Sequence, residues 1–232
     1  MDTQILASPE QIELDQKRFI SKVYGWMAGA LAITGLVAWY VSGSYSIISF
    51  IFANQWVFIG LMIVKLLMVG SLAGWVNRMS VTTASTIFVL YAILTGVVFS
   101  ALFLIYTAGS LASTFLITGG MFAIMSAYGW FTGNDLTKFG NMLFMLLIGL
   151  IIASIVNIFL NSTMLYWIST YVGVFIFTGL IAYDTQKIKN MGAQVTEGTD
   201  EYKKGAIVGA LSLYLDFINL FLMLLRIFGG RK

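Results

Sequence analysis

The sequence predicts an all-α membrane protein with seven transmembrane helices, and three observations carry that reading. Charged residues make up 10% of the chain and hydrophobic residues 59%, whereas soluble domains average about 25% charged. Mean hydropathy is +0.90. Seven apolar stretches fill most of the 232 residues, each close to the ~20 residues a helix needs to cross a ~30 Å hydrocarbon core. No room is left for a soluble domain. The absence of Cys excludes disulfides, thiolate metal sites and Cys nucleophiles. The absence of His means that any response to pH near neutrality falls to carboxylates, or else to a Lys. The net charge of +3 does not point to nucleic acid, because the charges lie in short loops.

Residues 1–22 are polar and mildly acidic, unlike a cleaved signal peptide. Ser8-Pro9-Glu10-Gln11 reads as a helix start, with Ser8 as N-cap and Gln11 in the capping-box position. A short interfacial helix through Lys17, Arg18 and Lys22 is expected to lead into the first span; a frayed tail is the alternative. The domain reading is a cytoplasmic tail over 1–22 and a seven-helix domain over 23–229. Its spans are Val23–Val41, Val57–Val76, Ala84–Tyr106, Leu111–Phe131, Asn141–Leu160, Leu165–Tyr183 and Ala206–Phe228. The single proline is Pro9, so no span carries a proline kink. Gly25/Gly29, Gly70/Gly74 and Gly205/Gly209 are each four apart, a spacing that permits close helix packing.

Basic residues orient the chain. Lys17, Arg18 and Lys22 precede the first span, Arg78 lies in the second connection, Lys138 in the fourth, and Lys187, Lys189, Lys203 and Lys204 in the sixth. The first, third and fifth connections have none. This alternation places the N-terminus in the cytoplasm. Arg226, Arg231 and Lys232 would then lie on the far side, against the rule, unless the last segment does not cross completely.

Two acids sit in apolar surroundings: Asp184, at the end of the sixth segment, and Asp216, near the middle of the last. Asp135, in the loop Gly133-Asn-Asp-Leu-Thr-Lys138, reads as a solvated turn residue. A carboxylate at mid-membrane depth costs ~2.5–3.5 kcal/mol even on insertion scales, so a partner is expected. At helical spacing Ser212, Asp216, Asn219, Met223 and Arg226 form a polar stripe on an otherwise apolar helix. Two partners for Asp216 compete. Asp184 closes its span while Asp216 is central in its own, so they meet only if the last helix is displaced or the sixth extends past Gln186. Lys65 lies near the centre of the second span, at a depth similar to that of Asp216.

Tyr183-Asp184-Thr185-Gln186 with Ile188 and Lys189, followed by the long block from Ala210 through Asp216, Asn219 and Arg226 to Gly229, resembles the Bax inhibitor-1 (TMBIM) family. The resemblance covers about residues 19–229, its diagnostic residues fall in the last third, and the compact form suggests a bacterial member in the inner membrane. It implies a seven-helix fold with the last helix central and surrounded by the other six. It also implies a pH-sensitive calcium leak channel in which Asp184 and Asp216 form a hydrogen-bonded sensor and gate. Arg78 matches by position the arginine that latches the first of these acids, although relatives carry several basic residues there. Ser212, Asn219 and Lys65 are further candidate polar partners. Two carboxylates close together in a low dielectric cannot both ionise easily and share a proton. Losing that proton adds a charge able to attract a hard cation, and calcium takes oxygen ligands, here Asp184 and Asp216.

No cofactor is expected beside calcium as the transported ion, and the expected partners are the bilayer, calcium and membrane proteins. The competing function is a non-conducting regulator that binds membrane quality-control or stress-response proteins. An intramembrane aspartyl protease fits poorly: Tyr183-Asp184 matches, but Leu213-Tyr-Leu-Asp216 replaces Gly-x-Gly-Asp and no proline follows Pro9. The expectation is therefore not an enzyme.

Overall fold

The computed structural model describes residues 9–232, so Ser8 and its expected capping role lie outside the described residues. The order is α1 (Pro9–Ser42), α2 (Tyr45–Phe52), α3 (Gln55–Trp75), a 3-10 turn (Val76–Arg78), α4 (Val81–Ile105), α5 (Ala108–Phe131), α6 (Thr137–Leu160), α7 (Thr163–Gly192) and α8 (Asp200–Phe228). All except α2 and the 3-10 turn are long and apolar enough to cross a membrane, giving seven spans among the described residues. Hydroxyl and amide side chains in the connections set where helices begin. Asn54 accepts from the Trp56 and Val57 N–H groups, and Ser80, Thr107, Ser162 and Thr199 cap α4, α5, α7 and α8 in the same way. Asp135 accepts from the Thr137 N–H at 2.9 Å at the start of α6. Two expectations change. The tail helix and first span are one unbroken α1, with no boundary at residue 22, and the first connection contains α2.

The chain visits the two ends of the bundle in strict alternation. At one end Arg18 of α1 bonds Glu197 of the α7–α8 connection at 2.7 Å, and Lys204 donates to Asn77 O between α3 and α4 at 3.4 Å. Lys189 donates to Trp130 O near the end of α5. At the other end the C-terminal tail pairs with the α4–α5 connection. Arg231 bridges Tyr106, Lys232 N donates to Ile105 O at 3.0 Å, and Thr107 N donates to Gly230 O at 3.1 Å. The last helix therefore runs the full length of the bundle, and Arg231 and Lys232 lie at the end opposite Arg18 and Glu197.

The core lies around α8, whose apolar length is mostly buried. It packs closely on α1, α5 and α7 and less on α4; α3 touches it only marginally, and α6 rests mainly on α7. Phe88, Tyr214, Ile207, Leu213, Leu220 and Leu225 are fully inaccessible within this core. By contrast α3 and α6 present rows of exposed apolar residues, such as Ile63, Leu66 and Leu67 or Phe144, Met145 and Ile151, as lipid-facing helices do.

Glycines set the closest approaches, though not all those the spacing suggested. A Cβ at Gly205 would lie 3.1 Å from Met191 Sδ, and one at Gly209 3.1 Å from Ile188 Cγ1, so this pair does seat α8 on α7. Gly25, Gly29, Gly70 and Gly74 face open space instead, because helical spacing puts residues on one face without saying which face meets a neighbour. Closer contacts fall at glycines outside these pairs, among them Gly96 against Thr34 O, Gly129 against the Ala182 backbone and Gly140 against the Tyr183 ring.

Candidate functional site

Asp184 and Asp216 meet where α7 and α8 run antiparallel. Gly205 against Met191, Gly209 against Ile188 and Gly173 against Met223 set the register. The same register brings Asp184 level with the turn that carries Asp216. The depth mismatch disappears because α7 continues past Gln186 to Gly192, the second of the two ways in which the acids were expected to reach one another. Asp216 is 5% exposed and Asp184 half-buried. Their carboxyl groups are within hydrogen-bonding reach of one another. Asp216 Oδ2 is buried and has no donor among the described residues. Ionised carboxylates only accept, so this contact becomes a hydrogen bond when one proton is shared between the two groups.

Both acids line a cavity of about 950 Å³. It lies between α3 and α6, which are not closely packed on one another, and is backed by α7 and α8. Lys65, Ser212 and Asn219 line the same cavity. Asn219 Nδ2 donates to Leu215 O at 2.8 Å. Lys65 does not ion-pair with Asp216; its Nζ sits 5.3 Å from the centroid of the Tyr91 ring, a cation–π placement. Arg78 is exposed on the 3-10 turn and is not part of the cavity lining, so five of the six residues singled out from sequence converge and Arg78 stays apart.

Two cavity residues escaped the sequence reading. Lys187 lines the cavity one turn after Asp184, and the i,i+3 spacing on one helix was a signal for it. Tyr91, which holds Lys65, carried no such signal, because its place depends on how α3 meets α4. Around the site, hydroxyl pairs tie the helices. Tyr24 and Thr185 both hydrogen-bond Ser126, joining α1, α5 and α7. Tyr214 of α8 bonds Thr34 of α1 at 2.7 Å, and the Thr34 hydroxyl lies 3.0 Å from Ala92 O of α4.

Chemically the cavity holds two acids that can share a proton and two ammonium groups. Among the described residues no cluster of three or more His, Cys, Asp or Glu side chains is present. The two carboxylates supply at most four of the six to eight oxygens that calcium takes. The set suits transient contact with a partly hydrated ion better than chelation.

The family model described as "Inhibitor of apoptosis-promoting Bax1" matches residues 16–232. The chain is similar to the inner membrane protein YbhL of Escherichia coli (strain K12), 51% identical over 215 residues and covering 92% of each chain. It is 43% identical over 227 residues to a protein of Borreliella burgdorferi, covering 98% of each. To the protein RP147 of Rickettsia prowazekii it is 43% identical over 221 residues, covering 93% of this chain and 91% of that one.

Proposed function

Because this chain belongs to the Bax inhibitor-1 family, we propose that it is a proton-sensitive cation leak, with calcium as its cargo and Asp184 and Asp216 as its sensor and gate. The observation that carries the reading is the buried contact between the two carboxyl groups on a cavity wall, with no other donor for Asp216 Oδ2. With one shared proton the pair is a hydrogen bond tying α7 to α8. Without it, two like charges face each other, repel, and attract a divalent cation. The leak then rises with pH. The N-terminus is cytoplasmic in this reading, since the basic connections cluster at the end that carries Arg18. The acids act as a sensor and not as a catalytic dyad.

The test is calcium entry into liposomes containing only this protein, followed from about pH 6 to pH 8, the range into which a coupled, desolvated pair can be moved. The wild type is expected to leak more as pH rises, and Asp184→Asn and Asp216→Asn to remove most of that dependence. A pH-dependent leak that both Asn variants retain would overturn the sensor. A second reading is favoured by Lys65 and Lys187, whose charges offset those of the acids within the cavity. On that reading the protein is a non-conducting regulator binding other membrane proteins, and no flux occurs at any pH.

A further inference from the structure

A second cavity lies away from the acids. It measures about 960 Å³ and follows one face of α1 from the basic end of the bundle toward its middle. Its mouth carries Lys17, Arg18 and Lys22, with Tyr202 and Glu197 beside them; its floor carries Gly25 and Gly29; Trp26, Ile33 and Phe88 make it apolar further in. Arg18, Lys22, Gly25 and Gly29 fall on one side of the helix by their spacing. Both glycines face open space, so at neither would a Cβ touch a neighbour. Their lack of side chains deepens a trough instead of permitting helix contact.

We infer that this trough is a binding site for an anionic phospholipid, with the phosphate among Arg18, Lys22 and Lys17 and one acyl chain laid over Gly25 and Gly29. Charge and length both point to that occupant. From Lys22 to Ile33 the helix rises about 16 Å, close to the ~15 Å depth of one leaflet's hydrocarbon. A headgroup at the basic mouth therefore places its chain along the whole trough. Three basic residues stand at headgroup level, where each Lys or Arg favours anionic over neutral lipid. Lys22 is exposed and has no ion pair among the described residues. Arg18 bonds Glu197 at 2.7 Å and Lys17 bonds Glu13 at 2.6 Å. Both pairs are exposed and weak enough for a phosphate oxygen to displace the carboxylate. Neither a peptide nor a second copy of the chain is called for by a site that is basic at one end and purely apolar beyond it.

Trp26 on the trough wall supplies the readout. The full-length protein is reconstituted in phosphatidylcholine vesicles containing about 10% of either phosphatidylglycerol or extra phosphatidylcholine carrying brominated acyl chains. The Trp26 signal is taken as the difference from Trp26→Phe. Brominated phosphatidylglycerol is expected to quench Trp26 severalfold more than brominated phosphatidylcholine at the same fraction. Gly25→Leu with Gly29→Leu, which fills the trough, should abolish that preference. Lys22→Gln, a surface change that leaves packing alone, should weaken it about fivefold, the effect of one basic residue. Equal quenching by the two lipids, or a preference untouched by both the Leu and the Gln variants, overturns the site. So does a Trp26 that no lipid quenches, since the trough is then covered by protein.

Discussion

Lys65 of α3 and Tyr91 of α4 form the cation–π contact that keeps an ammonium on the wall of the cavity holding Asp216, 5.3 Å from the ring centroid and unpaired with either acid. On the leak reading this placement makes Lys65 a repulsive element for a passing cation and not an ion-pair partner of Asp216. Lys65→Met is therefore expected to raise calcium leak while preserving its pH dependence. A unit charge about 10 Å from a divalent ion contributes on the order of 3 kcal/mol at an effective dielectric of ~20, roughly a hundredfold change in leak before salt screens it. If the variant loses the pH response and both Asn variants keep it, Lys65 titrates against Asp216.

The two acids should behave as one unit. The double variant Asp184→Asn/Asp216→Asn is expected to match a single variant in the pH response of flux, because residues sharing one proton are non-additive. A response that falls further in the double variant than in either single one would assign the acids separate roles.

Lys187 and Arg78 divide over the role of a basic latch. Lys187 lines the cavity one turn from Asp184, while Arg78 is exposed and outside the lining. Lys187→Ala is expected to raise basal leak several-fold, by removing a positive charge from the cavity wall near Asp184, and Arg78→Ala to change it by less than about twofold. The opposite ranking would place Arg78 against Asp184 in another conformation.

Helix packing gives a prediction independent of flux. A Cβ at Gly129 would run into the Ala182 backbone, where no side chain can yield, whereas one at Gly25 meets nothing. Gly129→Ala is expected to cost about 1–3 kcal/mol, read as a clear fall in the thermal midpoint of the protein in detergent. Gly25→Ala should be neutral or slightly stabilising, since Gly inside a helix is ~1 kcal/mol worse than Ala. Equal midpoints for the two variants would refute the α5–α7 contact.

The contrast between these glycines marks how far the sequence could be read. Seven spans were legible because apolar length alone decides them. The alternating sidedness was legible from Lys and Arg, and the two helix ends bonded through Arg18 and Glu197 agree with it. Pairing of Asp184 with Asp216 was implied by resemblance, while counting residues from span ends set them at different depths. What was missing was the register of α8 on α7, fixed by Gly205, Gly209 and Gly173 against particular side chains. Such contacts have no periodic signature. Tyr91 was invisible for the same reason, and Arg78 was assigned by position in the chain, which does not give position in the bundle.

Topology can be checked directly. Reporters placed within 190–199 and after Lys232 are expected on opposite faces of the membrane, the first cytoplasmic. The same face for both would contradict the pairing of the tail with the α4–α5 connection.

That tail has a mechanical consequence. Arg231 and Lys232 lock the far end of α8 onto Ile105 and Tyr106, Lys232 Nζ reaches Phe103 O at 2.7 Å, and Lys204 holds the near end to Asn77. Tied at both ends and packed along its length, α8 has many contacts to break if it is to slide or tilt. The looser walls are α3 and α6, with few buried residues and no close contact between them. Regions with the fewest packed contacts open at the lowest free energy. On the leak reading, the way to Asp216 would therefore open by movement of the two outer helices and not of α8.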